Sequence, residues 1–181
     1  ASANGKLYLK VMRSYGMGSG VMPVLQAGKL EEISQWLPMH VSENIVQEAI
    51  WQKNLFPASL PLTGESLSIE QGVARQILRG GMQQLAASWP SLPSNFDTII
   101  ASGAVLTNSA SYGQTLLMLL DGLQPPGVSN IYLDQNTLLP GLGAAAEFNA
   151  LLPVQVLDSG VLLHLGTVIA PYSSAKYGTP I

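Results

Sequence analysis

Apolar and polar positions along this chain follow two different rhythms. From Gly20 to Pro90 the spacing is helical. Ile45, Val46, Ala49 and Ile50 form one face after Ser42, and Ile69, Val73 and Ile77 recur every fourth residue, joined by Ala74, Leu78, Met82 and Leu85. Ser42 reads as an N-cap, with Glu43 in the first turn and Lys53 in the last, as the helix dipole favours. Ser68 with Gln71 reads as a capping box, and the Gly80-Gly81 pair as a kink or interruption. Two shorter helical stretches precede these, one from about Val21 to Gly28 and one from Leu30 to Leu37, stopped by Pro38.

Either side of this region the rhythm is that of strands. Leu7, Leu9 and Val11 alternate with Tyr8 and Lys10, predicting a strand over Leu7–Met12. After Pro90-Ser91-Leu92-Pro93 come a short apolar strand at Thr98–Ala101, a turn at Ser102-Gly103-Ala104 and a helix within Tyr112–Leu123. Gln124-Pro125-Pro126-Gly127 ends that helix, Val128–Asp134 is a second strand, and Leu139–Ala146 opens another helix. Pro153–Leu157 and Val161–Ile169 read as strands around an Asp158-Ser159-Gly160 turn. Strand, helix and strand at this spacing imply an α/β fold. Its parallel pair is Thr98–Ala101 with Asn130–Leu133, crossing over through a helix at about Gly113–Leu120.

Composition narrows the function. With 181 residues, 47% hydrophobic and 10% charged, the chain has enough apolar mass for one domain or two subdomains. So few charges suggest surface that a larger protein covers. No Lys or Arg lies between Arg79 and Lys176, so the basic stripe that nucleic-acid binding requires is missing. There is no cysteine for disulfide, thiolate or metal chemistry. No apolar run is long enough to span a bilayer and no signal-peptide pattern opens the chain, making the cytoplasm the default location. The featureless ends, Ala1–Gly5 and Ser173–Ile181, read as those of a fragment of a longer polypeptide.

Two segments carry candidate chemistry. Gly16-Met17-Gly18-Ser19-Gly20 has a predicted strand before it and a helix after it, so its amides either cradle a phosphate or simply reverse the chain. Ser102-Gly103-Ala104 ends a strand with small side chains only. This either brings bare backbone to a ligand at the carboxyl edge of the sheet or makes a tight crossover. No catalytic residue stands out: His40 reads as a surface loop residue and His164 as structural. Asp97, Asp121 and Asp134 fall at element ends, where carboxylates cap helices or pair with cations, and their spacing predicts no common metal site. The six methionines read as core filler.

The strand ending at Ser102-Gly103-Ala104 and the later Leu142-Gly143-Ala144-Ala145 resemble the adenosine motif and following helix in the C-terminal lobe of the actin, sugar kinase and heat-shock chaperone superfamily. A closer resemblance, to the MutL (GlmL-like) accessory proteins of adenosylcobalamin-dependent glutamate mutase, rests on several segments. They are Ile100–Leu106, Leu119–Asp121 with Leu123-Gln124-Pro125, Asp134 with Leu138–Gly143, and Leu165–Ile169. The resemblance implies a ribonuclease-H-like lobe of an actin-like ATPase with a mainly helical insertion. Residues 6–20 and 96–170 would form the sheet-containing part and 21–93 the insertion. It implies ATP with Mg²⁺ in the full-length protein and no tightly bound cofactor on this chain alone. The partners it implies are a cobalamin-dependent mutase subunit and an N-terminal lobe of the same protein. The nucleotide contacts it implies are Ser102, Gly103 and Ala104, with Gly16, Gly18 and Ser19 near the phosphates. Two positions depart from the pattern: Ala104 replaces the second of two adjacent glycines, and no acidic residue lies between Arg13 and Glu31. Both phosphate hairpins of the superfamily are missing, with Leu7–Arg13 matching the strand after the second, so ATP hydrolysis would belong only to the full-length protein.

Overall fold

A computed structural model describes residues 2–3, 6–7, 9–18, 20–26, 30–38, 40–89 and 95–171. The chain is a mixed α/β protein that divides into two compact units, Ala1–Leu92 with Ser109–Gln124, and Pro93–Asn108 with Pro125–Ile181.

The first unit is mainly helical. It opens on a short antiparallel pair, β1 (Ser2–Ala3) with β2 (Lys6–Leu7). The strand expected over Leu7–Met12 is not formed, because pairing stops at Leu7, and Leu9 and Val11 are exposed. Alternation can specify which face a strand would bury, but it forms no ladder without a neighbour to pair with. Four helices follow: α1 (Val21–Gln26), α2 (Leu30–Ser34), α3 (Glu43–Leu55) and α4 (Gly64–Ser88). Their apolar faces, with Val41 from the segment before α3, meet in one core of Val21, Ile33, Val41, Val46, Ile50, Ile69, Val73 and Ile77. Each such side chain contributes about 1.5–3 kcal/mol on full burial.

Ser42 is the N-cap of α3 in extended conformation, as expected, although its side chain makes no capping bond. The capping box of α4 lies at Thr63–Ser66 rather than at Ser68, which instead bonds back to the Gly64 carbonyl. The glycine pair does not interrupt α4. A Cβ at Gly80 or Gly81 would sit 3.4 Å from the Tyr15 ring, so the two glycines give that ring a flat surface to pack on.

The helix between the expected parallel strands, α6 (Tyr112–Leu123), belongs to this first unit and packs on α4. Arg75 Nε donates to Asp121 Oδ2 at 2.9 Å, and its guanidinium lies 5.7 Å from the Trp36 ring centroid. Gln71 Nε2 donates to Gln114 Oε1 at 3.3 Å. Gly122 permits this approach, since a Cβ there would fall 2.6 Å from Leu78 Cβ.

The second unit holds a three-stranded sheet in the order β3 (Thr98–Ser102), β4 (Gly127–Asp134), β5 (Leu163–Ala170). β3 and β4 are parallel, from Thr98 opposite Asn130 to Ser102 opposite Asp134. β5 runs antiparallel to β4, with a register shift beside Ile131 and Tyr132. Ile131, Leu133 and Ser129 on one face of β4 are buried. The opposite face leaves Ile100, Val128 and Ile169 exposed.

Among the described residues the unit also holds three short helices, α5 (Ala104–Thr107), α7 (Leu139–Ala145) and α8 (Leu151–Asp158). The strand expected at Pro153–Leu157 is therefore helix α8. Pro153 sits in its first turn, where no intrahelical N–H is needed, and Asn149 Oδ1 accepts the Leu151 N–H at 3.0 Å. Gly160, with φ +78°, follows its end.

Candidate functional site

The carboxyl edge of the β3–β4 pair concentrates the unusual backbone of the second unit. β3 ends at Ser102 and the chain turns through Gly103 at φ +116°, ψ 150°, a conformation almost confined to glycine. The Gly103 carbonyl then accepts from the Leu106 and Thr107 amides, both at 3.0 Å, and from Thr107 Oγ1 at 3.2 Å. A Cβ placed on Gly103 would meet nothing within 4 Å, and Ser102 and Ala104 are exposed. The turn is thus bare backbone facing open space. Its geometry, not crowding, requires the glycine.

Directly beside it, in register with Ser102, β4 ends at Asp134. This carboxylate is fully buried and accepts the Leu138 N–H at 2.9 Å on Oδ1 and the Leu139 N–H at 3.0 Å on Oδ2, fixing the entry to α7. Between them Thr137 has φ +53°, a left-handed conformation that a β-branched residue adopts only at a cost of about 1–3 kcal/mol. Strain and a two-handed backbone clamp on adjacent strand ends mark this edge as built to a particular shape. The sequence placed Asp134 at an element end but held no sign of the strained Thr137.

The glycine-rich segment belongs to the first unit and closes on itself. The Gly20 N–H donates to the Gly16 carbonyl at 2.7 Å, and a Cβ on Gly20 would lie 2.3 Å from Gly16 N. A Cβ on Gly18 would lie 3.7 Å from Pro57 Cβ, and Ser19 lies outside the described residues. The Gly20 amide is spent on this turn.

Of the other acidic candidates, Asp121 pairs with Arg75, and Asp97 joins the sheet through its backbone carbonyl, which accepts from Asn130 N at 2.9 Å. His164 is exposed on β5 beside the Tyr132 ring, with centroids 4.9 Å apart. Met118 is fully buried, as core filler would be. Among the described residues, no three His, Asp or Glu side chains gather where a metal ion would be held.

These features define a mixed α/β protein with a three-stranded sheet in which β3 and β4 run parallel. Residues 2–161 match the family model described as MutL protein. The chain belongs to this MutL family, that of the glutamate mutase accessory proteins and not the DNA mismatch-repair proteins sharing the name. No match was found among curated proteins or among solved structures. Among the described residues, no helix is long and apolar enough to cross a membrane.

Proposed function

We propose that this chain is the adenosine-binding, ribonuclease-H-like lobe of an actin-like accessory protein that serves an adenosylcobalamin-dependent mutase in the cytoplasm. Family membership supports the accessory role. The observation that carries the nucleotide reading is Gly103, bare backbone at φ +116° facing open space at the carboxyl end of a parallel strand. Ligands of open α/β sheets collect outside such strand ends, and a flat base packs closest where no Cβ intervenes. Ser102 and Ala104 flank the position with side chains small enough to leave the approach open.

The residues present fit the adenosine portion of ATP better than its metal. Both Asp134 oxygens are committed to backbone amides, and no other carboxylate cluster is available among the described residues. No metal-dependent step is therefore assigned to this chain. ATP would supply the driving free energy. This lobe would hold the base and transmit nucleotide state to closure against the N-terminal lobe and thence to the mutase. Exposed apolar side chains such as Phe148, Leu151 and Val154 suit a surface that assembly covers.

The test uses the whole protein that contains this chain, together with an inactivated adenosylcobalamin-dependent mutase. ATP-dependent recovery of mutase activity is expected, lost in a Gly103→Val variant that remains folded at the assay temperature. A folded Gly103→Val protein that restores activity normally with ATP would remove the nucleotide role of this turn. The second reading, a non-catalytic scaffold, draws on the closed Gly16–Gly20 turn, which spends an amide that phosphate binding would need. ATP-independent support of the mutase would favour it.

A further inference from the structure

A concave site of about 430 Å³ lies within the first unit, between α3, α4 and the 57–63 loop. Its volume falls in the range of specific ligand pockets, roughly 300–1,000 Å³. Val21, Ile50, Ile69 and Val73 make its apolar wall, with Leu60 and Pro61 along the loop side. One polar feature is set into that wall. Lys53 Nζ pairs with Glu70 Oε1 at 2.5 Å and donates to the Ser59 carbonyl at 2.7 Å, with both charged side chains largely buried.

We propose that this groove docks one large apolar side chain presented on an extended peptide segment of a partner protein. The Lys53–Glu70 pair supplies the argument from charge. An ammonium has three donors, and two of those on Lys53 are used among the described residues. Glu70 Oε2 has no hydrogen-bond partner among them, yet is not among the sealed polar atoms. One donor and one acceptor therefore stand side by side with no net charge. A peptide unit matches them with its carbonyl and its N–H. A lone carboxylate would meet Glu70, and a lone ammonium Lys53, with like charge.

The rim agrees with a protein occupant. Leu60 and Leu62 both line the groove and are exposed, Leu62 to 94%. Apolar residues ringing a pocket are how interfaces exclude water from an anchor. This inference is independent of the nucleotide reading, since it concerns a different unit and its test uses no nucleotide.

The test is a ¹⁵N-detected titration of this chain with N-acetyl-L-leucinamide and N-acetyl-L-phenylalaninamide. Saturable shifts are expected at Ile50, Lys53, Leu60, Glu70 and Val73. N-acetylglycinamide, which lacks the apolar group, and isovalerate, which lacks the amide, should bind at least about tenfold more weakly, a step of roughly 1.4 kcal/mol. Ala49→Phe should fill the groove and weaken binding by at least about tenfold. Should that variant not fold, Gln52→Trp on the exposed mouth of α3 serves the same purpose. The paired change Lys53→Met/Glu70→Met should erase the preference for amides over isovalerate while leaving no lone buried charge. Absence of saturation into tens of millimolar would overturn the proposal. Equal binding of isovalerate would make the groove a site for small apolar molecules, and broadening of the same residues with protein concentration alone would make its occupant a second copy of this chain.

Discussion

Replacing Gly103 by alanine isolates backbone strain from crowding, because the added methyl has no neighbour within 4 Å. At φ +116°, ψ 150° an L-residue costs about 1–3 kcal/mol. Restricting the unfolded chain returns about 0.4–1 kcal/mol of that. With both ranges at their midpoints the net loss is about 1.3 kcal/mol, which for a chain of this length lowers Tm by roughly 3–5 °C. Gly103→Val should lose more, since β-branching narrows the accessible backbone further. Urea unfolding gives the free energy. Hydrogen exchange at the Leu106 and Thr107 amides, both bonded to the Gly103 carbonyl, shows whether the loss is local to the turn. An alanine variant as stable as the parent, with unchanged protection at those amides, would mean that the turn does not need positive φ. The account of Gly103 as conformationally required would then be wrong.

Other perturbations follow the same logic. Asp134→Ala should destabilise the second unit by about 1–3 kcal/mol, because it leaves two part-buried amides without their acceptor, whereas Asp134→Asn should lose less; exchange at Leu138 and Leu139 reports it directly. Thr137→Gly should stabilise by about 0.5–1 kcal/mol in urea unfolding, relieving a left-handed threonine. Gly122→Ala should cost about 1–3 kcal/mol, since its Cβ would strike Leu78, and a neutral result would mean that α4 and α6 separate easily. If the β3–β4 edge takes the base, adenosine and ATP should bind this chain with similar weak affinity by calorimetry. No Lys or Arg occurs between Arg79 and Lys176 to pair with phosphates.

The sequence disclosed most where local chemistry and tertiary pairing agree. Thr98–Ser102, the Pro125-Pro126 stop and Gly127–Asp134 each carry their own signal, and the parallel pair follows from them. It misled where one signal had two readings. Leu151–Asp158 mixes Val154 and Val156 with a proline and looks like a strand, yet Pro153 in a first turn is equally at home in a helix. Leu7–Met12 has strand alternation but, among the described residues, no partner beyond Leu7. The capping box escaped because Ser66, not the usual Glu or Gln, reaches back to Thr63. At the candidate edge, Ser102-Gly103-Ala104 was legible from side-chain size alone. The strain at Thr137 and the double clamp by Asp134 were not, since neither leaves a compositional trace. The groove beside Lys53 was invisible for another reason: its walls come from segments dozens of residues apart.

The most direct test of the central claim is a ¹⁵N-detected titration of this chain with adenosine, followed residue by residue. Binding at the β3–β4 edge should give saturable shifts at Ser102, Gly103 and Ala104 and across Asp134–Gly143, absent in a Gly103→Val chain that remains folded. Shifts confined to Gly16–Gly20, or no saturable shift at all while the chain remains folded, would contradict the assignment of this edge as an adenosine site.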